Sequence, residues 1–158
     1  MKKLLLSLLL IGMAGCAKGE IVGKYEFPIT VKSEEWNELT RDEKVKMCQI
    51  PEDILTSMSS EALLLTILDY PYIGDIVAFS TIEIGFDHIC DEFNGFREFI
   101  ARKDCPEVVA NQLSAALNDL DTDALRLTVL SILFHQDEIK SKIDVDKVNE
   151  LEAKLEKL

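Results

Sequence analysis

The chain has 158 residues, with 17 Lys and Arg against 29 Asp and Glu and a formal net charge of −12. That length holds one ordinary domain with a fair core, not two. The acidic balance argues against binding a nucleic-acid backbone, which needs clustered Lys and Arg, and against electrostatic docking on anionic lipid head groups.

Met1-Lys2-Lys3 is a short cationic start. Leu4 to Ile11 is apolar apart from Ser7, and Gly12-Met13-Ala14-Gly15-Cys16-Ala17 follows. A basic start, a short apolar run and small residues at a cut site describe a secretory signal, and the run is too short to span a bilayer, which takes about 20 residues. With Cys16 directly after Ala14-Gly15, this stretch resembles a bacterial lipoprotein signal, with Met13 where that family usually has Leu. The resemblance implies a thioether-linked lipid on Cys16, cleavage before it and acylation of the new amine. Residues 1–15 are then the signal peptide, 16–32 a lipid-anchored tether and 33–158 a single helical domain. Cleavage after Ala17 without lipid is the alternative. Ala17 and Lys18 lack the Asp that marks inner-membrane retention in that family, which points to an outer membrane where the cell has one. Removing residues 1–15 removes two Lys and no acid, so the mature charge falls from −12 to −14.

In the tether, Tyr25, Phe27, Ile29 and Val31 alternate with polar residues and Pro28, the pattern of an edge strand or extended arm. A lone strand is unstable, so this segment is expected to pack its apolar side on the helical domain. From Ser33 the signals are helical. Ser33 is expected to cap a run through Trp36 and Leu39. Thr40 and Glu43 have capping-box spacing, in which each side chain satisfies a backbone donor of the other. Pro51 suits the first position of a helix carrying Ile54, Leu55 and Met58. Ser59 and Ser60 open a helix whose Leu63, Leu64, Ile67 and Leu68 recur at buried-face spacing, ended by Tyr70-Pro71.

Ile73 to Phe79 predicts one or two helical turns. Ser80 to Glu83 has capping-box spacing and opens a helix through Phe93 with Ile82, Phe86, Ile89, Cys90 and Phe93 as its buried stripe. Asn94-Gly95 reads as a turn or left-handed cap. Phe96, Phe99 and Ile100 mark a short helix, and Pro106 starts one with Val109, Leu113, Ala116 and Leu117 inward. Thr122 is expected to cap a helix from Asp123 to Phe134, apolar around most of its circumference and hence central. Gln136 to Ile143 is amphipathic. Asp144 to Leu158 carries Val148, Leu151, Leu155 and Leu158 in a narrow stripe that suits packing along its own domain or a coiled-coil seam.

These elements predict an all-α fold of antiparallel helices, either a compact bundle or a short HEAT-like stack, with an extended N-terminal tether. Trp36 to about Gln112 resembles a group of exported helical bacterial proteins of unassigned function. The strings carrying that resemblance are Cys48-Gln49-Ile50-Pro51-Glu52, Met58-Ser59-Ser60-Glu61-Ala62-Leu63, Tyr70-Pro71, Gly85-Phe86 and Phe93-Asn94-Gly95-Phe96. It implies no activity.

With Cys16 lipidated, Cys48, Cys90 and Cys105 leave an odd count of thiols, which could form one disulfide in any pairing. Cys48 and Cys90 have apolar neighbours, and Cys105 before Pro106 is the expected exposed thiol. His88 lies beside Asp87 and Asp91, but Glu83, Asp87 and Asp91 read as a solvated acidic face from which His88 points about 100° away. A metal there would need a further His or Cys, and His135 is the one other histidine. Asp119 to Asp123 starts like a calcium loop, but Ala124 and Leu130 stand where Gly and Glu are required. Tyr70 and Tyr72 could line a groove. No phosphate loop, nucleophile elbow or zinc helix occurs, so no catalytic residue, cofactor or metal ligand is assigned. The expected function is a non-enzymatic interaction or binding module of the cell envelope. It would be held to the membrane by acyl chains on Cys16 and have another envelope protein as partner. A metal- or thiol-dependent envelope enzyme using His88 and nearby acids is the alternative.

Overall fold

Nine α-helices and no strand occur among the described residues, 23–158 of the computed structural model. Residues 1–22, with the signal-like stretch, Cys16 and the start of the tether, lie outside them. The helices are α1 (Arg41–Met47), α2 (Glu52–Leu55), α3 (Ser60–Leu68), α4 (Ile82–Glu92), α5 (Asn94–Ala101), α6 (Cys105–Asn118), α7 (Ala124–Phe134), α8 (Asp137–Lys140) and α9 (Val145–Leu155). Single 3-10 turns occupy Glu34–Glu38 and Ile73–Val77. The fold is all-α, of antiparallel helices stacked through short connections. None of the described helices is long and apolar enough to cross a membrane.

Local signals set most of the boundaries. Thr40 and Glu43 form the reciprocal capping box at α1, and Ser59 caps α3 by accepting from the Ala62 N–H. Pro51 sits at the cap of α2, one place before its first helical residue. Several expected caps move by a residue. Thr81 rather than Ser80 caps α4, and Asp123 rather than Thr122 caps α7, taking the N–H groups of Leu125 and Arg126. Ser33 makes no cap bond, because its hydroxyl accepts from the Thr30 N–H instead and closes a tight turn.

Asn94-Gly95 is a second correction. These residues form the first turn of α5, and no glycine among the described residues has a positive φ. Phe93, extended between α4 and α5, is the break. Asn94 instead bonds across the fold, accepting from the Ile50 N–H and donating to the Ile50 carbonyl. Gly95 is required for close approach: a Cβ there would lie 2.6 Å from the Phe93 ring. Gly85 has the same role in α4, where a Cβ would run into the Ile76 carbonyl oxygen. That contact presses α4 onto the Ile73–Val77 turn.

The core runs through α3, α6 and the second half of α7. Leu63, Leu64, Ile67, Val109, Leu113, Val129, Leu130, Leu133 and Phe134 are fully buried. Each such side chain contributes about 1.5–3 kcal/mol of burial. The hub is α6, which packs against α3, α5, α7, α8 and α9, whereas the first turn of α7 faces outward with Leu125 exposed. The expected stripe of α4 is narrower too, since Ile82 is exposed. α9 lies along α6 with Leu151 buried, so its stripe packs on its own domain, and Leu158 at its end is exposed.

The arm docks as its alternation suggests. Ile29 is buried and Tyr25 and Phe27 are half-buried, while Val31 is exposed. The Tyr25 N–H donates to the Thr66 hydroxyl at 2.8 Å, and Lys24 pairs with Asp69. Phe27 packs on Tyr70 and Phe93, whose rings stack with centroids 4.3 Å apart. Tyr70 in turn packs on Tyr72, and Tyr72 on Trp36. A column of aromatic contacts therefore links the arm, through buried Tyr70 and Phe93, to Tyr72 and Trp36.

Candidate functional site

At the outer end of that column four ionisable side chains converge. Arg41 comes from the first turn of α1, Asp75 from the 3-10 turn, and His88 and Glu92 from successive turns of α4. One guanidinium nitrogen, Arg41 Nη2, donates to Asp75 Oδ2 at 2.7 Å and to Glu92 Oε2 at 2.8 Å, and lies 3.4 Å from His88 Nε2. His88 Nε2 is itself 3.4 Å from Glu92 Oε2. The Tyr70 hydroxyl donates to the other Glu92 oxygen at 3.1 Å. The Arg41 guanidinium lies over the Tyr72 ring at 4.4 Å, and the Phe79 ring covers one side of His88.

The backbone around the cluster is fixed by side-chain amides. Gln49 donates to the carbonyls of Val45 and Glu92, and its own oxygen accepts from the Asn94 N–H. With the two Asn94–Ile50 bonds, this clips the end of α1 to the α4–α5 junction and brings Arg41 against Glu92. The Gly85–Ile76 approach sets the other wall by holding the Asp75 turn against α4.

Burial disfavours the Arg41 charge, but its bonds to Glu92 and Asp75 outweigh that and push its pKa further up. Burial, then the nearby Glu92 charge, raises the Tyr70 phenol above its usual range, so it stays a donor. Burial also raises Tyr72. Two carboxylates face one guanidinium, which leaves the group with a surplus negative charge. Glu92 is the most enclosed member, its side chain 12 % exposed, while that of Arg41 is 44 % exposed.

Of the residues singled out from sequence, His88, Tyr70 and Tyr72 meet here. Asp87 and Asp91 do not; both are exposed on the solvent side of α4. Asp91 contributes only its backbone carbonyl, to Arg97. His135 ends α7 far along the chain, its Nδ1 2.7 Å from the Ser131 carbonyl. Arg41, Asp75 and Glu92 were missed. Glu92 had a readable signal, because a residue four after His88 shares its helix face whereas Asp87 does not. Nothing local marks Arg41 or Asp75.

A surface cleft of about 600 Å³ lies elsewhere, between Ile82, Glu83, Leu127, His135, Asp137 and Leu158. It is open, and its ionisable lining is Glu83, His135 and Asp137. None of the thiols belongs to the Asp75–His88–Glu92 group. Cys48, Cys90 and Cys105 are all free, and Cys105, expected to be exposed, is buried at the start of α6. Burial pushes Cys48 up to about 11 and Cys90 and Cys105 up to about 12. This is the reverse of an activated nucleophile, which needs a lowered pKa. Comparisons with known protein families, curated proteins and solved structures found no match.

Proposed function

We propose that this protein is a lipid-anchored domain of a bacterial cell envelope that acts by binding another envelope protein. The observation that carries this reading is Cys16 after a basic start, a short apolar run and Ala14-Gly15. Two features of the folded part support it. The arm is pinned at Lys24 and Tyr25, eight residues after Cys16, so a lipid there would hold the body within about 28 Å of the bilayer. Multiple acyl chains supply the stable attachment that one chain lacks. Second, Val77, Phe79, Ile82 and Ile84 are exposed in one stretch, apolar surface of the kind a protein partner covers.

The test has two arms. In bacterial cells the parent chain fractionates with membranes, and Cys16→Ser leaves it in the soluble fraction or retained as uncleaved precursor. A photocrosslinking residue at position 79 of the anchored chain gives an adduct of discrete mass with an envelope protein. A Cys16→Ser chain that is cleaved and sediments with membranes as the parent does would overturn the anchor. Failure of positions 79, 82 and 84 to give any adduct would overturn the partner surface.

A further inference from the structure

The Arg41–Asp75–His88–Glu92 group has the donor set of a metal site with a cation of the protein's own at its centre. From this juxtaposition we propose that Asp75, His88 and Glu92 form a zinc site for which the Arg41 guanidinium competes. The inference stands apart from lipid attachment and partner binding.

One His nitrogen and two carboxylate oxygens, with all three ligand atoms within 4.8 Å of one another, form the site. Imidazole and carboxylate donors suit zinc, which takes three protein ligands and leaves a fourth position open. A tetrahedral zinc ion with bonds of about 2.05 Å sets its ligands about 3.3 Å apart. His88 Nε2 and Glu92 Oε2 already stand 3.4 Å apart. They sit four residues apart on one helix, so α4 holds that edge rigid. Asp75, within 4.8 Å of both, completes the set with a shift of at most about 1.5 Å at its carboxylate.

The surroundings act as a supporting layer. Tyr70 donates to the Glu92 oxygen that does not face His88, which leaves Oε2 turned towards the centre. Such outer hydrogen bonds orient metal-binding carboxylates. The tight Gly85–Ile76 approach fixes the Asp75 turn against α4. Arg41 Nη2 lies at hydrogen-bonding distance from both carboxylates and 3.4 Å from His88, so it occupies the point where the ion would sit. The guanidinium satisfies one of two negative charges, and a divalent ion would satisfy both. Its side chain is half-exposed and lies over the face of Tyr72, so a rotamer change would carry it out without moving α1.

The experiment is a Zn²⁺ titration of the full chain, purified without a histidine tag and held in detergent, with Co²⁺ absorption as a coordination readout. The parent is expected to bind one equivalent of zinc at micromolar Kd. Arg41→Met binds at least tenfold tighter and gives the intense visible band of tetrahedral cobalt. His88→Ala and Glu92→Gln each weaken binding at least tenfold, and Asp87→Asn with Asp91→Asn changes it less than twofold. Circular dichroism confirms that each variant is folded, and if Arg41→Met is not, the parent and His88→Ala decide. Zinc binding absent from both parent and Arg41→Met, or unchanged by His88→Ala, would overturn the proposal. The second result would place the metal on the exposed acids instead.

Discussion

Three cysteines besides Cys16 invite a disulfide or a reactive thiol, and the fold provides neither among the described residues. Cys48, Cys90 and Cys105 are all free and none is exposed, and burial is the main cause of each raised pKa. A folded-state pKa above the unfolded value means that the native state resists ionisation. The associated stability is fully present below pH 9 and is lost as pH rises towards 11–12. At pH 8 native protein is expected to react with iodoacetamide at least tenfold more slowly than urea-unfolded protein at these three positions, as read by peptide mass. Chemical denaturation should show stability falling as pH rises above 9. Equal native and unfolded alkylation rates would mean that the thiols are open. The placement of Cys105 was not legible, because a cysteine at a helix start can face either way, and only the packing of α6 on its neighbours buries it. His88 was legible as a candidate and its true partner Glu92 lay at the right spacing. Asp75, 13 residues before His88, and Arg41, 47 before it, enter the group only through tertiary packing.

Elements were the most readable level. Ser59 at α3 and the Thr40–Glu43 box act where their chemistry places them, because capping is decided within four residues, and Pro51 falls one place before its expected position. Errors fell where two adjacent residues compete for one cap, as with Thr122 and Asp123, and the carboxylate accepting two N–H groups prevailed. Asn94-Gly95 was misread for a deeper reason. Local turn chemistry is outweighed when an asparagine finds paired backbone bonds at Ile50 and a glycine admits a ring. The two close-approach glycines therefore differ in what surrounds them. Gly85 faces backbone, which cannot move without shifting the 3-10 turn, whereas Gly95 faces the ends of the Phe93 and Ile50 side chains. Gly85→Ala is expected to destabilise by about 3 kcal/mol or more and Gly95→Ala by about 1–2 kcal/mol in urea unfolding. A Gly85→Ala protein as stable as the parent would show that α4 does not press on Ile76.

At the scale of the whole molecule, the arm, the aromatic column and the polar cluster are joined by an unbroken run of contacts. Tyr25 and Phe27 dock at one end, Tyr70 and Phe93 stack in the middle, and Tyr72 carries Arg41 at the other. The arm's docking was legible as alternation, since a lone apolar strand must cover one side. The run itself was not, because it joins residues from the tether, the turn after α3 and α4. A lipid at Cys16 would place the docked end of this run near the membrane. Intact-mass spectrometry of the full-length gene product recovered from bacterial membranes tests this arrangement most directly. The expected product begins at Cys16, lacks residues 1–15 and carries the added mass of a diacylglycerol thioether with an N-linked acyl chain. A product beginning at Lys18 with no acyl mass, or an unprocessed chain in the cytosol, would contradict it.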